Sequence, residues 1–246
     1  MLLRETLRAQ GDWMFKQRSW LPLLLAPIVA AGFAQYSYLG GSRTLDRVWV
    51  LGCALACLAG LAIRAAATGS TPRRTSGRNT KGQVADELNT TGMYSIVRNP
   101  LYLGNFVMGL GPALYFHSWW PAAAYAVVFW VYYERIVLAE EEFLREKFGG
   151  AYTEYAEKTP AFLPRITRWR PPALPFSFRT VLKREYQTAF GAAVVFCGFG
   201  VAGDSVQARA LVIDALWIAV FGASLAAYAV LRFLRKTTRV LHVAGR

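Results

Sequence analysis

Two short stretches of this chain carry side chains able to do chemistry together. Arg98, Asn99 and Pro100 stand directly before an apolar run that continues almost unbroken to Leu138, and Glu140, Glu141 and Glu142 follow it, with Glu134 and Arg135 just upstream. Pro100 fixes its own φ and suits a first helical turn, where a missing amide hydrogen costs little, and it pushes the residue before it towards an extended backbone. Asn99 is therefore a candidate N-cap. The free amides of such a helix start favour an anionic or strongly polar ligand group, and Arg98 adds a fork of donors that suits a carboxylate. The acidic run supplies the opposite sign, and ionisable residues at the edge of an apolar span either reach into water or serve a charged partner. Positive donors and negative acceptors in one cleft suit a zwitterionic ligand. Taken singly, each stretch has a plainer reading: a helix cap with a headgroup arginine, a solvated helix end, and, for Tyr152 and Tyr155, interfacial aromatics. Their joint occurrence around one apolar hairpin argues for a single site.

The elements that position these residues follow from composition. The chain has 246 residues, 54% apolar and only 17% charged, which is the balance of a membrane protein. Its net charge of +13 sits mostly between and beyond the apolar segments, where the cytoplasmic face of a bilayer collects basic residues, and this distribution argues against a nucleic-acid partner. Apolar segments fall near 21–39, 48–67, 101–117, 121–139, 188–203 and 211–231. About 20 residues cross a bilayer as a helix, so the first, second, fourth and last are long enough, while the third and fifth are short. Gly111, Pro112 and the break from His117 to Pro121 mark 101–139 as a helical hairpin. The first apolar run lacks a small-residue cleavage pattern and reads as an anchor that stays.

The spacing thus predicts an all-α polytopic membrane protein of about six transmembrane segments with a cytoplasmic-side cofactor cleft. Only Arg43, Arg47 and Arg209 occupy the loops at 40–47 and 204–210, which places both termini in the cytoplasm, as in a bacterial inner membrane. Arg64, inside a span, is expected to reach the headgroups from that helix's cytoplasmic end. Cys53, Cys57 and Cys197 read as buried small hydrophobes, because no His, Asp or Glu nearby completes a metal ligand set. His117 and His242 lie outside both motifs and read as interfacial polar groups. Three regions result: 1–87, with an amphipathic segment, two spans and a loop; 88–165, with both motifs and the hairpin; and 166–246, with a basic, proline-containing linker and two spans. The linker either lies along the headgroup layer or covers the cleft.

The stretch from Leu88 to Pro164 resembles the isoprenylcysteine carboxyl methyltransferase and phospholipid methyltransferase superfamily of integral membrane enzymes. A first block, "G-x-Y-x-x-x-R-[HN]-P-x-Y-x-G", reads Gly92, Tyr94, Arg98, Asn99, Pro100, Tyr102 and Gly104. A second, "E-E-x-x-L-x-x-x-F-G-x-x-Y-x-x-Y", reads Glu140, Glu141, Leu144, Phe148, Gly149, Tyr152 and Tyr155, closed by Pro164.

The resemblance implies S-adenosylmethionine bound at the cytoplasmic mouth and a membrane lipid or other hydrophobic acceptor reaching it sideways from the bilayer. Carried over by position, the cofactor contacts fall on Tyr94, on Arg98, Asn99, Pro100, Leu101 and Tyr102, and on Glu140, with Leu88 and Asn89 from the preceding loop. Many carboxyl methyltransferases of the family have His where Asn99 stands. Asn cannot shuttle a proton near neutral pH, so Asn99 is assigned binding. Glu141 is the nearest candidate base for an amine acceptor, and Arg135 either holds an anionic acceptor headgroup or pairs with a neighbouring carboxylate. Membrane sterol reductases, which bind NADPH near a similar first block, and a non-catalytic scaffold holding anionic lipid are the other readings; the second block favours the methyltransferase.

Overall fold

A computed structural model describes residues 3–17, 20–72, 75 and 85–246, and all its regular elements are helical. Four helices are long and apolar enough to cross a membrane: α3 (Arg43–Gly69), α6 (Trp119–Phe148), α8 (Phe178–Ala208) and α9 (Ala215–Thr237). The expectation of about six such segments is met only in part. The 21–39 run breaks into a 3-10 turn, Leu21–Leu25, and a nine-residue helix α2 (Ala26–Ala34), about 14 Å long at 1.5 Å per residue. Pro27, in the first turn of α2, has no amide hydrogen to bond back into the preceding turn, and the helix type changes there. The hairpin is present, but its first arm α5 (Pro100–Leu114) has only 15 residues, about 22 Å. The fifth segment is longer than its apolar run: α8 begins at Phe178, ten residues before the oily part at 188.

Among the described residues α3 packs against α5 and α8, α6 packs on α5, and α9 packs on α8. Gly60 on α3 and Gly104 on α5 face each other so closely that a Cβ at either would collide with the partner helix, and the two backbones touch as small residues allow in membranes. Tyr36, Cys53, Cys57, Tyr115, Phe116 and Phe196 form the buried cluster at one end, and all three cysteines are buried free thiols. α9 buries no residue and packs on α8, with Ile218, Leu225 and Phe233 turned outward, as lipid contact requires.

Arg64 does not reach the headgroups. It is 8% exposed, and its guanidinium forms a two-point bridge to Glu185 on α8, at 2.9 and 3.0 Å, with a third bond of 2.6 Å to Asn105 on α5. A charge in a low-dielectric interior is kept only when paired and hydrogen-bonded, and Glu185, from the unexpected early turns of α8, is the partner that keeps it.

α6 has 30 residues, about 45 Å, against a hydrocarbon core of about 30 Å. Its last turns therefore stand clear of the oil and carry the acidic run. The amphipathic α1 (Leu3–Gln17) lies along it: Gly11 meets the Arg135 carbonyl, and Arg8 grips Glu146 at 2.6 and 3.1 Å.

Candidate functional site

Two turns aim the site. Gly92, at φ 59°, starts the short helix α4 (Met93–Ile96), a conformation in which a side chain would be strained and would also crowd Pro172. Gly149, at φ 54°, ends α6 with its N–H bonded to the Arg145 carbonyl 2.9 Å away, and α7 (Gly150–Lys158) folds back at once. Tyr155 on α7 donates to the Tyr94 carbonyl at 2.7 Å, fastening α7 to α4. The walls thus come from elements on both sides of the hairpin.

Between them lies a narrow cleft of about 50 Å³, lined by Leu88, Asn89, Tyr94, Arg98, Asn99, Glu140 and Glu141, together with Thr75, Glu87, Leu144, Tyr152 and Tyr155. Seven of the residues singled out in the sequence share this cleft. Four do not line it. Pro100 is fully buried and Leu101 is half-buried beside it, at the start of α5. Tyr102 lies behind the wall, where its hydroxyl donates a 2.6 Å hydrogen bond to Glu140 Oε1. Arg135 turns the other way: its guanidinium bonds Gln10 on α1 at 3.2 Å and the Val131 carbonyl at 2.8 Å, and lies 3.5 Å from Glu134. It belongs to the α1–α6 seam, one helical face away from the cleft, because residues 135 and 140 are five apart on a helix of 3.6 residues per turn.

Asn99 occupies the N-cap position of α5, but its side chain makes no capping bond; Nδ2 donates to the Ala161 carbonyl at 3.2 Å. Arg98 Nη1 lies 2.8 Å from Glu141 Oε1, so the candidate base is already engaged with a cation. Two donors remain: Asn89 Nδ2 and Arg98 Nε are buried and have no hydrogen-bond partner among the described residues. Each such donor costs about 1–3 kcal/mol if nothing meets it, which marks where a polar ligand group fits. Burial, reinforced by the Glu141 charge, pushes the Tyr152 phenol up to about 12, so it stays protonated at neutral pH. Burial likewise raises Tyr155.

Tyr152 and Tyr155 were quoted in the second block yet assigned no contact, and Leu144 is in the same block. Thr75 and Glu87 come from a polar loop with no pattern to mark them. Among the described residues no group of His, Cys, Asp and Glu suits a metal ion.

Residues 48–151 match the phospholipid methyltransferase family. The chain is 33% identical over 124 residues to the cobalt-zinc-cadmium resistance protein CzcN of Cupriavidus metallidurans, covering 50% of this chain and 55% of that one. Identity is 38% over 89 residues to the nickel-cobalt-cadmium resistance protein NccN of Alcaligenes xylosoxydans xylosoxydans, covering 36% and 41%. It is 32% over 77 residues to the protein-S-isoprenylcysteine O-methyltransferase of Schizosaccharomyces pombe, covering 31% and 33%. The chain thus spans between a third and just over half of the length of these relatives. No solved structure matches it. These matches, confined to less than half of the chain for the family and to about a third for the isoprenylcysteine O-methyltransferases, support the superfamily kinship read from the two blocks.

Proposed function

We propose that the protein is an S-adenosylmethionine-dependent methyltransferase acting at the cytoplasmic face of the membrane, on a carboxylate oxygen or an amine nitrogen of a lipid or hydrophobic small molecule. The observation that supports this reading is the cleft itself, which unites Tyr94, Arg98 and Asn99 with Glu140 and Glu141 and leaves two buried donors unmet. That donor set fits the amino-acid end of the cofactor. Asn89 Nδ2 and Arg98 Nε are donors for a carboxylate, and Glu140, oriented by Tyr102, is an acceptor for an ammonium or ribose hydroxyl group. Leu88 and Leu144 offer apolar wall for the adenine edge.

The bound cofactor supplies an electrophilic methyl group on a sulfonium. The protein's own work is to fix the acceptor in line and to exclude water. A carboxylate acceptor arrives ionised and needs no base. For an amine acceptor the nearest carboxylate is Glu141, which already pairs with Arg98 and would have to leave that pair to take a proton. Arg135, held at the α1–α6 seam, positions α6 and does not touch the acceptor. The excess of basic residues on the 68–100 and 145–187 stretches assigns the cleft end to the cytoplasm.

Calorimetry on the detergent-solubilised protein tests the reading. S-adenosylhomocysteine is expected to bind, and Glu140→Gln to weaken it at least tenfold, about 1.4 kcal/mol. Heat with NADPH and none with S-adenosylhomocysteine overturns it. The acceptor is then identified as the lipid that gains a methyl group's mass in membranes holding the wild-type protein but not the Glu140 variant.

A further inference from the structure

The segment after α7 is hydrogen-bonded to the cofactor-side motif along its whole length. Arg98 donates its backbone N–H to the Pro160 carbonyl at 2.9 Å, Asn99 Nδ2 reaches Ala161, and Arg165 N–H reaches the Ile96 carbonyl at 2.9 Å. Gly92 N–H bonds the Arg170 carbonyl at 3.0 Å, and Arg170 N–H returns to Ser95 Oγ at 2.9 Å. Ala173 N–H closes the set on Thr91 Oγ1 at 3.1 Å. Residues 160–173 therefore form a strap whose inner edge is the outer support of residues 91–99.

Its outer edge faces solvent and has a specific chemistry. Leu163, Ile166 and Trp169 are 83%, 75% and 51% exposed. Interleaved with them are Arg165, Arg168 and Arg170, all exposed and none in an ion pair among the described residues. From Thr159 to Arg184 the sequence holds no acidic residue. Exposed apolar side chains alternating with unpaired arginines are what an anionic headgroup layer accepts: the oily groups enter the acyl boundary and the guanidiniums meet phosphate. A neutral surface would leave those charges without a partner.

We infer that the strap docks on anionic phospholipid headgroups and that this docking holds residues 91–99 in their ligand-binding conformation. Both ends of the coupling act on one backbone, so the free energy is shared: whatever factor the lipid adds to the order of residues 91–99, a ligand of that segment returns to lipid binding. The coupling rests on the proposed function only in naming that ligand; the ordering itself does not.

The experiment is hydrogen exchange on the full chain in nanodiscs of phosphatidylcholine alone or mixed in equal parts with phosphatidylglycerol. The amides of Gly92 and Arg98 should exchange at least about threefold more slowly with the anionic lipid, as expected when local opening is suppressed. Arg165→Gln/Arg170→Gln should remove that difference while exchanging like the wild type in phosphatidylcholine, which shows that the variant is folded. Equal exchange in the two discs, or a difference that survives the double substitution, overturns the inference. S-adenosylhomocysteine binding is measured beside it; failure to bind in either disc sinks the methyl-transfer reading and leaves the exchange comparison standing.

Discussion

At the end of the bundle away from the cleft, Asp46 accepts a 2.8 Å hydrogen bond from Tyr36 and lies 3.1 Å from His117 Nε2, while Arg43 bridges Asp204 and Asp214 at 2.7 and 2.8 Å. Tyr38 adds a 2.7 Å bond to Asp204, and Arg47 a second bridge to Asp214. At the cleft end, α3, α5, α6 and α8 present as many polar groups, yet Asn89 Nδ2 and Arg98 Nε are left unmet beside a pocket. The first cluster is met within the chain except at His117 Nε2, which lies beside Asp46 without a hydrogen bond; the second leaves two donors unmet, and they belong to residues lining a cleft. Buried polarity whose bonds are completed within the chain fixes how helices meet, whereas buried polarity left open beside a cavity is shaped for something that arrives from outside. His117 at this end stacks on Tyr36, has Trp49 tilted beside it and lies next to Asp46.

Substitutions break this contrast in order of size. Arg64→Ala has the largest effect, because it leaves Glu185 charged and buried without a partner. A cost of about 3–5 kcal/mol is expected, seen as loss of folded protein in a thermal melt, with Arg64→Lys recovering only part because an ammonium cannot form the two-point bridge. Asp46→Ala removes the acceptor of Tyr36 and the neighbour of His117 and should cost about 2–3 kcal/mol of stability. Its S-adenosylhomocysteine affinity should match the wild type; a drop would mean that the two ends are coupled. Tyr102→Phe should do the reverse, weakening the ligand by about 1 kcal/mol, roughly fivefold, through a freed Glu140, while the melting temperature holds.

The smallest effect is that of pH on the closed end. Burial, only partly offset by Asp46, lowers the His117 pKa below its ordinary value. The unfolded chain therefore takes up its proton first as pH falls. Stability from His117 is complete above about pH 6.5, the ordinary imidazole value, and declines below it, levelling off under the folded-state value. Melting curves of the wild type and His117→Gln between neutral and mildly acidic pH should converge; parallel curves would show that His117 does not titrate.

Much of the site was legible because its parts are local. Pro100 announces a helix start, Gly149 a helix end, and the acids at 140 and 141 follow an apolar run longer than the bilayer is thick. What failed to read was set by distance in the chain. The Tyr102–Glu140 bond joins positions 38 apart, and the Arg98–Glu141 pair makes a supposed cofactor contact and a candidate base partners of each other. For Arg135 the structure shows the second of its two readings, a contact with the neighbouring Glu134 on the face that meets α1.

The sequence by itself determined that the chain carries membrane-length apolar segments, that a hairpin separates two polar blocks, and that those blocks resemble the membrane methyltransferase superfamily; runs of hydropathy and fixed motif spacings act over short stretches and survive in one dimension. Only the tertiary structure decided that Arg64 is buried, since its partner Glu185 lies 121 positions away. It also decided that residues 160–173 brace the first block, that α2 is too short to cross a bilayer, and that two donors at the cleft lack a partner. Burial and hydrogen-bond completion depend on which distant segments meet, and no local pattern encodes that meeting.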